Sequence, residues 1–452
     1  MNEPRLDVSA VMSGDWRGYL SEMGPSWVAG AVAAGPATMA TVLTAGATFG
    51  YAMLWVVLLS AVLGASAQYL SMRLGLLTED GIVSVVEREL GDGWAWVLVA
   101  DGVLAAGLAQ LVIMQGLANV SATITGVDAR VWGVVWAVVL AAGLAGRGYR
   151  FVELLAKGLV AAVVAAFLAS LVLVPIDPAA AAGGLVPRIP AGVDGALVAA
   201  GILGGAVHIT LITMHSYTMR ARGWTTRDYG LATFDVGASM LVAFGVYSLA
   251  IFLVAASVLH SPEVAASDLS AVAAAQALGP IAGANAKWLF LLGLLGAAVS
   301  TLGGNTVVPP FLVADKLGWG TDLSDGRYRA LLAGVALFSG VGAFLGGAFF
   351  PLLVLVLAFG LVGTPFAIAV VLVLLNGDAV AEPNSTPANL GGVVLFAVTT
   401  VLAANFVRSR ALSDLGDPLS VFVVVFAAAM AAATLGLLGK FVRETVARPT
   451  AA

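Results

Sequence analysis

Residues 24–55 read GPSWVAGAVAAGPATMATVLTAGATFGYAMLW, an apolar stretch with the pair Gly35-Pro36 near its middle. Proline has no backbone N–H, so it cannot sit inside a helix without the loss of a hydrogen bond. Within hydrocarbon, backbone groups freed in this way are tolerated only where protein covers them or where they line a cavity. The stretch therefore predicts a membrane-spanning helix that is broken near residues 35–38, with a cavity beside the break.

The composition places the whole chain in a membrane. Its 452 residues are 60% hydrophobic and 10% charged, with a mean hydropathy of +1.00, far beyond what a soluble domain tolerates. Apolar runs that are long enough to cross roughly 30 Å of hydrocarbon number about twelve. The absence of cysteine excludes thiolate metal sites, no nucleotide or metal-peptidase motif occurs, and no basic run indicates nucleic acid. We expect an all-α polytopic membrane protein without a cofactor, and not an enzyme or an ATP-driven pump.

The distribution of basic residues predicts the orientation. Residues 1–23 form a polar lead without a signal-peptide cleavage site, and with this lead in the cytoplasm the short inner loops collect most of the positive charge. These inner residues are Arg73, Arg88, Arg147, Arg150, Arg220, Arg222, Arg227, Lys316, Arg327 and Arg329. Arg408 and Arg410 are exceptions, because they would lie outside. We expect a multi-pass protein of the plasma membrane.

A second break is predicted about half a chain after the first. Gly201, Gly204 and Gly205 weaken a helix there, and the isolated His208 follows them. Ionisable groups inside a span are usually functional. The sequence therefore predicts that the sixth span is unwound near residues 205–210 and faces the first break at the bilayer midplane.

Residues 24–55 resemble the first span of the NRAMP divalent-metal transporters at matching offsets. Those matches are Gly24-Pro25, Pro36, Ala40-Thr41, Ala45-Gly46 and Phe49-Gly50-Tyr51. Further matches are Met214-His215-Ser216 with Arg222, Asp235, and Thr364-Pro365-Phe366-Ala367-Ile368, so the resemblance covers roughly residues 24–375. It implies a LeuT-type fold with two inverted five-helix repeats, at 24–175 and 176–375, followed by two spans and a tail at 376–452.

The chain departs from that family where the family binds metal. Gly35 and Thr38 stand in place of the Asp and Asn of the first span, and His208 stands in place of the Met of the sixth. Leu357 replaces a tenth-span Gln, and the third-span acids of the family's proton route correspond to Gly107 and Gln110. The resemblance thus implies the family framework with a carboxylate-free central site.

Candidate site residues lie at the two breaks and on two neighbouring spans. We expect the substrate to contact Gly35, Thr38, Thr41, Gly205, His208, Thr210 and Thr213, and a coupling ion, H⁺ or Na⁺, to use Ser300, Thr301 or Asp101. Alternatives remain for each group. The threonines can bond back to their own helices, His208 can hold a freed carbonyl or act as a metal ligand, and Asp101 can cap a helix.

Other charged residues have less distinctive patterns. Asp235, near Arg220, Arg222 and Arg227, is typical of an intracellular gate or anchor, and Glu153 can pair with Lys157 at helical spacing. His260 has no assigned role.

Three functions stay open at this point. One is a secondary transporter, such as a symporter, that carries a small ion or polar solute and is not selective for transition metals. Another is a divalent-metal carrier that uses His208, threonine hydroxyls and backbone carbonyls, for a hydrated Mg²⁺-like ion or for Mn²⁺ or Fe²⁺. The third is a membrane sensor or scaffold that does not transport.

Overall fold

The computed structural model describes residues 19, 24–146, 149–261, 269–413 and 415–447. In this part of the chain the secondary structure is helical throughout and contains no strand. The polar lead (apart from Tyr19), Arg147, and the side chains of Arg150 and Glu153 lie outside the described residues.

Eighteen helices of the described residues form the main architecture, and we number them in chain order. They are α1 (Pro25–Ala33), α2 (Pro36–Phe49), α3 (Leu54–Thr78), α4 (Ile82–Glu89), α5 (Asp92–Thr125), α6 (Ala129–Gly146), α7 (Tyr149–Leu173), α8 (Pro178–Gly183), α9 (Val193–Val207), α10 (Ile209–Arg222), α11 (Tyr229–Val236), α12 (Gly245–Val258), α13 (Ala286–Thr306), α14 (Val308–Lys316), α15 (Gly326–Ser339), α16 (Phe349–Leu375), α17 (Thr386–Ser413) and α18 (Pro418–Ala447). A π-helix, Gly237–Phe244, joins α11 to α12.

Short segments complete the described structure. One-turn helices occupy Ala271–Ala274 and Gly279–Ala282, and 3₁₀ turns occupy Gly50–Met53, Thr226–Asp228, Ala275–Leu278, Gly283–Asn285 and Gly340–Phe344.

The described helices form twelve membrane crossings once one long stretch is divided and one short helix is extended. Within the described residues, ten helical stretches are long and apolar enough to cross, whereas the sequence predicted about twelve. One of them, Pro36–Thr78, has 43 residues and contains both α2 and α3. We count it as two crossings because Gly50, at a φ of +56°, ends α2. Helix α15 has only 14 residues but continues as a 3₁₀ turn to Phe344, about 31 Å in all. With these two additions the count reaches twelve.

Both predicted breaks are confirmed. Helix α1 ends at Ala33 and α2 begins at Pro36, while α9 ends at Val207 and α10 begins at Ile209. The proline of the first break is the first residue of α2, where a missing N–H removes no helical hydrogen bond. The second break needs no proline, because His208 alone leaves the helical conformation, with φ −56° and ψ 141°.

Burial separates a central group of helices from a peripheral one. The apolar windows of the stretch that contains α9 and α10 and of α16 are 100% and 94% buried, whereas those of α6 and α18 are 17% and 22% buried. The peripheral helices therefore present most of their apolar surface to lipid. The broken helices are enclosed, so their freed backbone groups are covered by protein, as hydrocarbon requires.

Candidate functional site

The first break forms around Gly35. This residue has extended backbone, φ −71° and ψ −176°, and its carbonyl accepts from the N–H of Met39 at 3.1 Å. A Cβ built on Gly35 would lie 2.3 Å from Oγ1 of Thr301 and 2.8 Å from the carbonyl oxygen of Val32. Thr301 therefore fills the space that any larger residue at position 35 would need.

The second break forms around His208, which ends α9 and caps α10. Its Nδ1 lies 3.4 Å from the donating N–H of Thr210 and 2.9 Å from Oγ1 of the same residue. In a neutral imidazole the nitrogen that accepts is the unprotonated one, so this contact assigns the hydrogen to Nε2. Nε2 is buried and has no hydrogen-bond partner among the described residues.

The carbonyls at the ends of α1 and α9 already accept hydrogen bonds from threonines. The hydroxyl of Thr38 donates to the carbonyl of Ala33 at 2.5 Å, and the hydroxyl of Thr364 donates to the carbonyl of Val207 at 3.1 Å. The carbonyls that a cation could bind at the two breaks therefore already accept hydrogen bonds from hydroxyls of the chain. The Thr364 contact also ties α16 to the second break, a role that nothing in the sequence indicated beyond the family-like tenth-span motif.

The two breaks meet at a small cavity. A Cβ on Gly205 would lie 2.6 Å from Oγ1 of Thr38, so the two half-helices are in contact. The cavity has a volume of about 40 Å³, enough for one water-sized guest. It is lined by Val32, Ala33, Ala37, Thr38, Ala109, Ile113, Gly205, His208, Thr210, Leu211, Thr301, Asn305, Leu353, Val356 and Leu357. None of these described lining residues is acidic, and Oγ1 of Thr301 has no hydrogen-bond partner among the residues that the structure describes.

The predicted substrate contacts divide into two groups. Thr38, Gly205, His208 and Thr210 line the cavity, whereas Gly35, Thr41 and Thr213 lie outside its lining. The hydroxyls of Thr41 and Thr213 donate to carbonyls four residues earlier, at 2.7 Å and 3.0 Å. This back-bonding is what threonines commonly do inside helices.

The three candidates for a coupling ion lie in different places. Thr301 faces the central cavity, while Ser300 lines a separate cavity together with Lys157 and Tyr247. Asp101 is 2% exposed on α5, and one of its carboxyl oxygens, Oδ2, has no partner among the described residues. The structure thus brings only one of the two hydroxyls to the breaks.

Two glycines of α16 leave space for the side chains of Asp101 and His208. A Cβ on Gly363 would lie 2.2 Å from each carboxyl oxygen of Asp101, and a Cβ on Gly360 would lie 2.2 Å from Nε2 of His208. Residues three apart share one face of a helix. The carboxyl and the imidazole therefore lie against the same face of α16, one turn apart. Sequence reasoning missed both glycines, although their three-residue spacing in an apolar span was visible.

Gln110 of α5 is part of a neutral hydrogen-bond network with α13. The amide of Gln110 donates to Oγ1 of Thr306 at 2.6 Å, and the amide of Asn305 donates to Oε1 of Gln110 at 3.0 Å and to the carbonyl of Ala106 at 2.9 Å. These groups satisfy one another, and none of them is ionisable. Nothing lies within 4 Å of a Cβ built on Gly107.

Away from the cavity, Asp235 anchors the start of α1. Its carboxylate accepts from the N–H groups of Gly24 at 3.3 Å and Ser26 at 2.7 Å. The hydroxyl of Ser26 in turn contacts Nε2 of His215 at 3.2 Å. Arg220 instead pairs with Asp80 at 3.3 Å. The predicted anchoring role for Asp235 fits these contacts.

A second cluster at the same end of the molecule was not predicted. The carboxylate of Asp315 on α14 accepts from the hydroxyl of Tyr217 at 2.6 Å and from the N–H and hydroxyl of Ser84. The N–H of Ile82 donates to Ser216 at 3.1 Å. These contacts join α4 and α14 to the C-terminal half of α10. His260, by contrast, contacts the carbonyl of Ala47 at 3.1 Å near the opposite end of α2.

An all-helical membrane protein with two facing broken crossings belongs to the class of transporters with the LeuT-type fold. The chain superposes on the manganese transporter of Eremococcus coleocola with a TM-score of 0.73 and 17% identity, over 95% of each chain. It superposes on MhsT in complex with L-phenylalanine with a TM-score of 0.57 and 15% identity, over 85% of this chain and 98% of the other. At such identities the likeness concerns the fold alone.

Comparison of the sequence with known families identifies the family of this chain. Residues 26–409 match the family described as natural resistance-associated macrophage protein-like, Nramp, and the chain belongs to that family of membrane transporters. The divalent metal cation transporter MntH of Yersinia pestis (strain Pestoides F) is 32% identical over 318 residues, 65% of this chain and 73% of the relative. The MntH of Deinococcus radiodurans is 30% identical over 311 residues, 66% of this chain and 70% of the relative.

Proposed function

We propose that this Nramp-family chain is a secondary transporter whose central site does not select transition-metal cations. The observation that carries the proposal is the chemistry of the cavity between the breaks. Its described lining holds no carboxylate and no thioether, and its unpartnered polar groups are Nε2 of His208 and Oγ1 of Thr301. Residues 24–175 and 176–375 would form its two inverted repeats.

Charge balance argues against a bare divalent cation. Such an ion loses its hydration at the midplane and needs compensating negative charge there. The cavity offers instead an N–H on His208 and, from the first turns of α2 and α10, the positive ends of two helix dipoles. The carbonyls of Ala33 and Val207 already accept hydroxyl hydrogens. A small solute that presents an acceptor, such as an anion or a carboxylate, suits this arrangement better than a metal ion.

Transport by purified protein in proteoliposomes tests the proposal. We expect slow uptake of Mn²⁺ and Mg²⁺, and uptake of at least one member of a panel of small anions and polar solutes driven by an H⁺ or Na⁺ gradient. The Yersinia pestis relative, reconstituted in parallel, is the positive control for Mn²⁺. Uptake of Mn²⁺ at the rate of that control would contradict the proposal. Failure of every solute would favour the sensor or scaffold.

A divalent-metal carrier is the second candidate, because the two relatives are divalent metal cation transporters. In that case the tautomer of His208 would be reversed: Nδ1–H would donate to Oγ1 of Thr210, 2.9 Å away, and Nε2 would face the ion. The threonine hydroxyls and retained waters would complete the coordination. Calorimetry distinguishes the two cases, since micromolar Mn²⁺ binding that is lost in His208→Ala would establish the carrier.

The coupling ion is a further part of the proposal. The buried carboxyl of Asp101 suits a proton, whereas the unpartnered hydroxyl of Thr301 suits Na⁺. Asp101→Asn keeps the shape of the side chain and removes the titrating group. We expect proton-driven uptake to fail in this variant and to persist in Thr301→Val, with the opposite result if Na⁺ is the coupling ion. Loss of folding is checked by size-exclusion chromatography.

We also propose a plasma-membrane location with the N-terminus in the cytoplasm. Because the chain contains no cysteine, single-cysteine variants report the side of each loop without background labelling. Leu185 and Leu317, which are 51% and 45% exposed, lie in loops on opposite predicted sides. We expect an impermeant maleimide to label Leu185→Cys in intact cells and Leu317→Cys only after lysis. The reverse pattern would invert the topology.

A further inference from the structure

A groove runs along the outer surface between α16, α17 and α18. It has a volume of about 670 Å³ and is lined almost entirely by apolar side chains, many of them alanines, among them Ala404 of α17 and Ala431 of α18. Pro365, inside α16, forms part of its floor. The small residues on both facing helices keep this space open along the direction of the spans.

A second cavity, less apolar than the groove, lies beside it at the end of α17. It has a volume of about 370 Å³ and is formed by Ile189–Gly192, the loop before α9, together with Asn405, Ser409 and Arg408. Arg408 lines both the groove and this cavity. The two spaces therefore form one site that is almost entirely apolar along the spans and carries polar and charged side chains where the spans end.

Arg408 carries a charge that nothing described in the protein neutralises. It is exposed and makes no hydrogen bond or ion pair with a described residue, and the described lining of the two cavities contains no acidic side chain. Arg410 differs, because its guanidinium lies 5.8 Å from the ring centroid of Phe406. The N–H of Leu419, and more weakly the charge of Arg410, lower the pKa of the Asp417 carboxyl. Arg410 thus interacts with a ring and a carboxylate, although its Nε has no hydrogen bond to a described residue, whereas Arg408 has no such interaction with a described residue.

We propose that this site binds one phospholipid with an anionic headgroup, its acyl chain in the groove and its phosphate on Arg408. A guanidinium forms paired hydrogen bonds with phosphate oxygens. The predicted topology places Arg408 on the side where basic residues are normally rare, and a bound anionic lipid accounts for its presence there. A free phosphate would leave the groove unoccupied, and a soluble partner could not reach along the spans.

Native mass spectrometry of the full-length protein tests the site. Delipidated protein in detergent is titrated with phosphatidylglycerol, and separately with phosphatidylcholine of the same acyl chains. We expect the first adduct to favour phosphatidylglycerol by about fivefold, the preference that one arginine at a membrane surface gives. Inorganic phosphate and glycerol phosphate, which lack acyl chains, should not displace it.

Three variants locate the site. Arg408→Gln should abolish the headgroup preference while a lipid of either kind still binds. Ala404→Leu, which fills the groove, should weaken both lipids. Arg410→Gln is the matched control, since it removes the same charge two residues away, on a different side of the helix, and should keep the preference.

Three results would overturn the proposal. An unchanged preference in Arg408→Gln, or an equal loss in Arg410→Gln, would mean that lipid solvates this surface without a specific site at Arg408. A dimer from which lipid is excluded would mean that a second copy covers the groove. If Ala404→Leu does not fold, as judged by size-exclusion chromatography, the comparison of Arg408→Gln with Arg410→Gln decides the question alone.

Discussion

Replacing Gly35 with aspartate tests whether the family framework persists around an altered site. The resemblance implies a metal-binding carboxylate at this position, so the substitution is the direct way to test whether a carboxylate here confers Mn²⁺ binding. The structure predicts that the single change is not tolerated as it stands. A Cβ at position 35 would lie 2.3 Å from Oγ1 and 3.1 Å from Cγ2 of Thr301, and 2.8 Å from the carbonyl oxygen of Val32.

The size of the effect follows from these contacts. Compared with an optimal separation of roughly 3.5 Å, the new Cβ is about 1.2 Å too close to Oγ1 and about 0.7 Å too close to the carbonyl oxygen. Overpacking of this kind costs about 1–3 kcal/mol of unfolding free energy. Thr301→Ala removes both side-chain contacts and leaves only the carbonyl, and Oγ1 of Thr301 has no hydrogen bond to lose. The double variant should therefore recover about 1 kcal/mol or more of that cost.

Two measurements check the prediction. Unfolding in detergent, arranged as a double-mutant cycle of Gly35→Asp and Thr301→Ala, gives the coupling energy. Calorimetry then compares Mn²⁺ binding to Gly35→Asp/Thr301→Ala with binding to Gly35→Asn/Thr301→Ala, which has nearly the same shape without the charge. We expect the carboxylate to strengthen binding by at least about tenfold. Additive stabilities would refute the packing argument, and equal Mn²⁺ binding would refute the role of charge.

Three further predictions follow from the contacts around the breaks. Gly363→Ala should lower the unfolding free energy by about 1–3 kcal/mol, because the new Cβ would lie 2.2 Å from the carboxyl oxygens of Asp101. Adding Asp101→Ala should restore the stability, and additive effects of the two changes would refute this contact as the cause. Tyr217→Phe removes a 2.6 Å hydrogen bond to Asp315, so thermal unfolding should show a loss of about 1.5–3 kcal/mol of stability. Hydrogen exchange in α4 should increase, and unchanged exchange would show that this hydrogen bond does not hold α4, α10 and α14 together. His208→Gln removes the single titratable side chain among the described residues that line the central cavity. The dependence of uptake on pH between about pH 5 and 8 should therefore flatten, and an unaltered dependence would assign the titration to another group.

The amino-acid sequence determined the features that depend on local covalent chemistry and composition. Pro36 lacks an N–H, so the first break was predictable to within a residue or two, and the glycines before His208 indicated the second. The apolar composition established a polytopic membrane protein. The number of crossings was harder to obtain from apolar runs, because Gly50 divides one long stretch and α15 completes its length as a 3₁₀ turn.

Only the tertiary structure decided what each site residue contacts. Helical spacing placed Thr38 and Thr41 on one face of α2, yet Thr38 reaches the cavity while Thr41 bonds to its own helix. The space beside Gly35 is filled by Thr301, more than 260 residues later in the chain. The physical reason is that periodicity gives the direction of a side chain relative to its own helix, whereas its neighbours depend on how distant helices pack against that face. The sequence thus predicted where the two breaks lie, and the packing decided which groups meet between them.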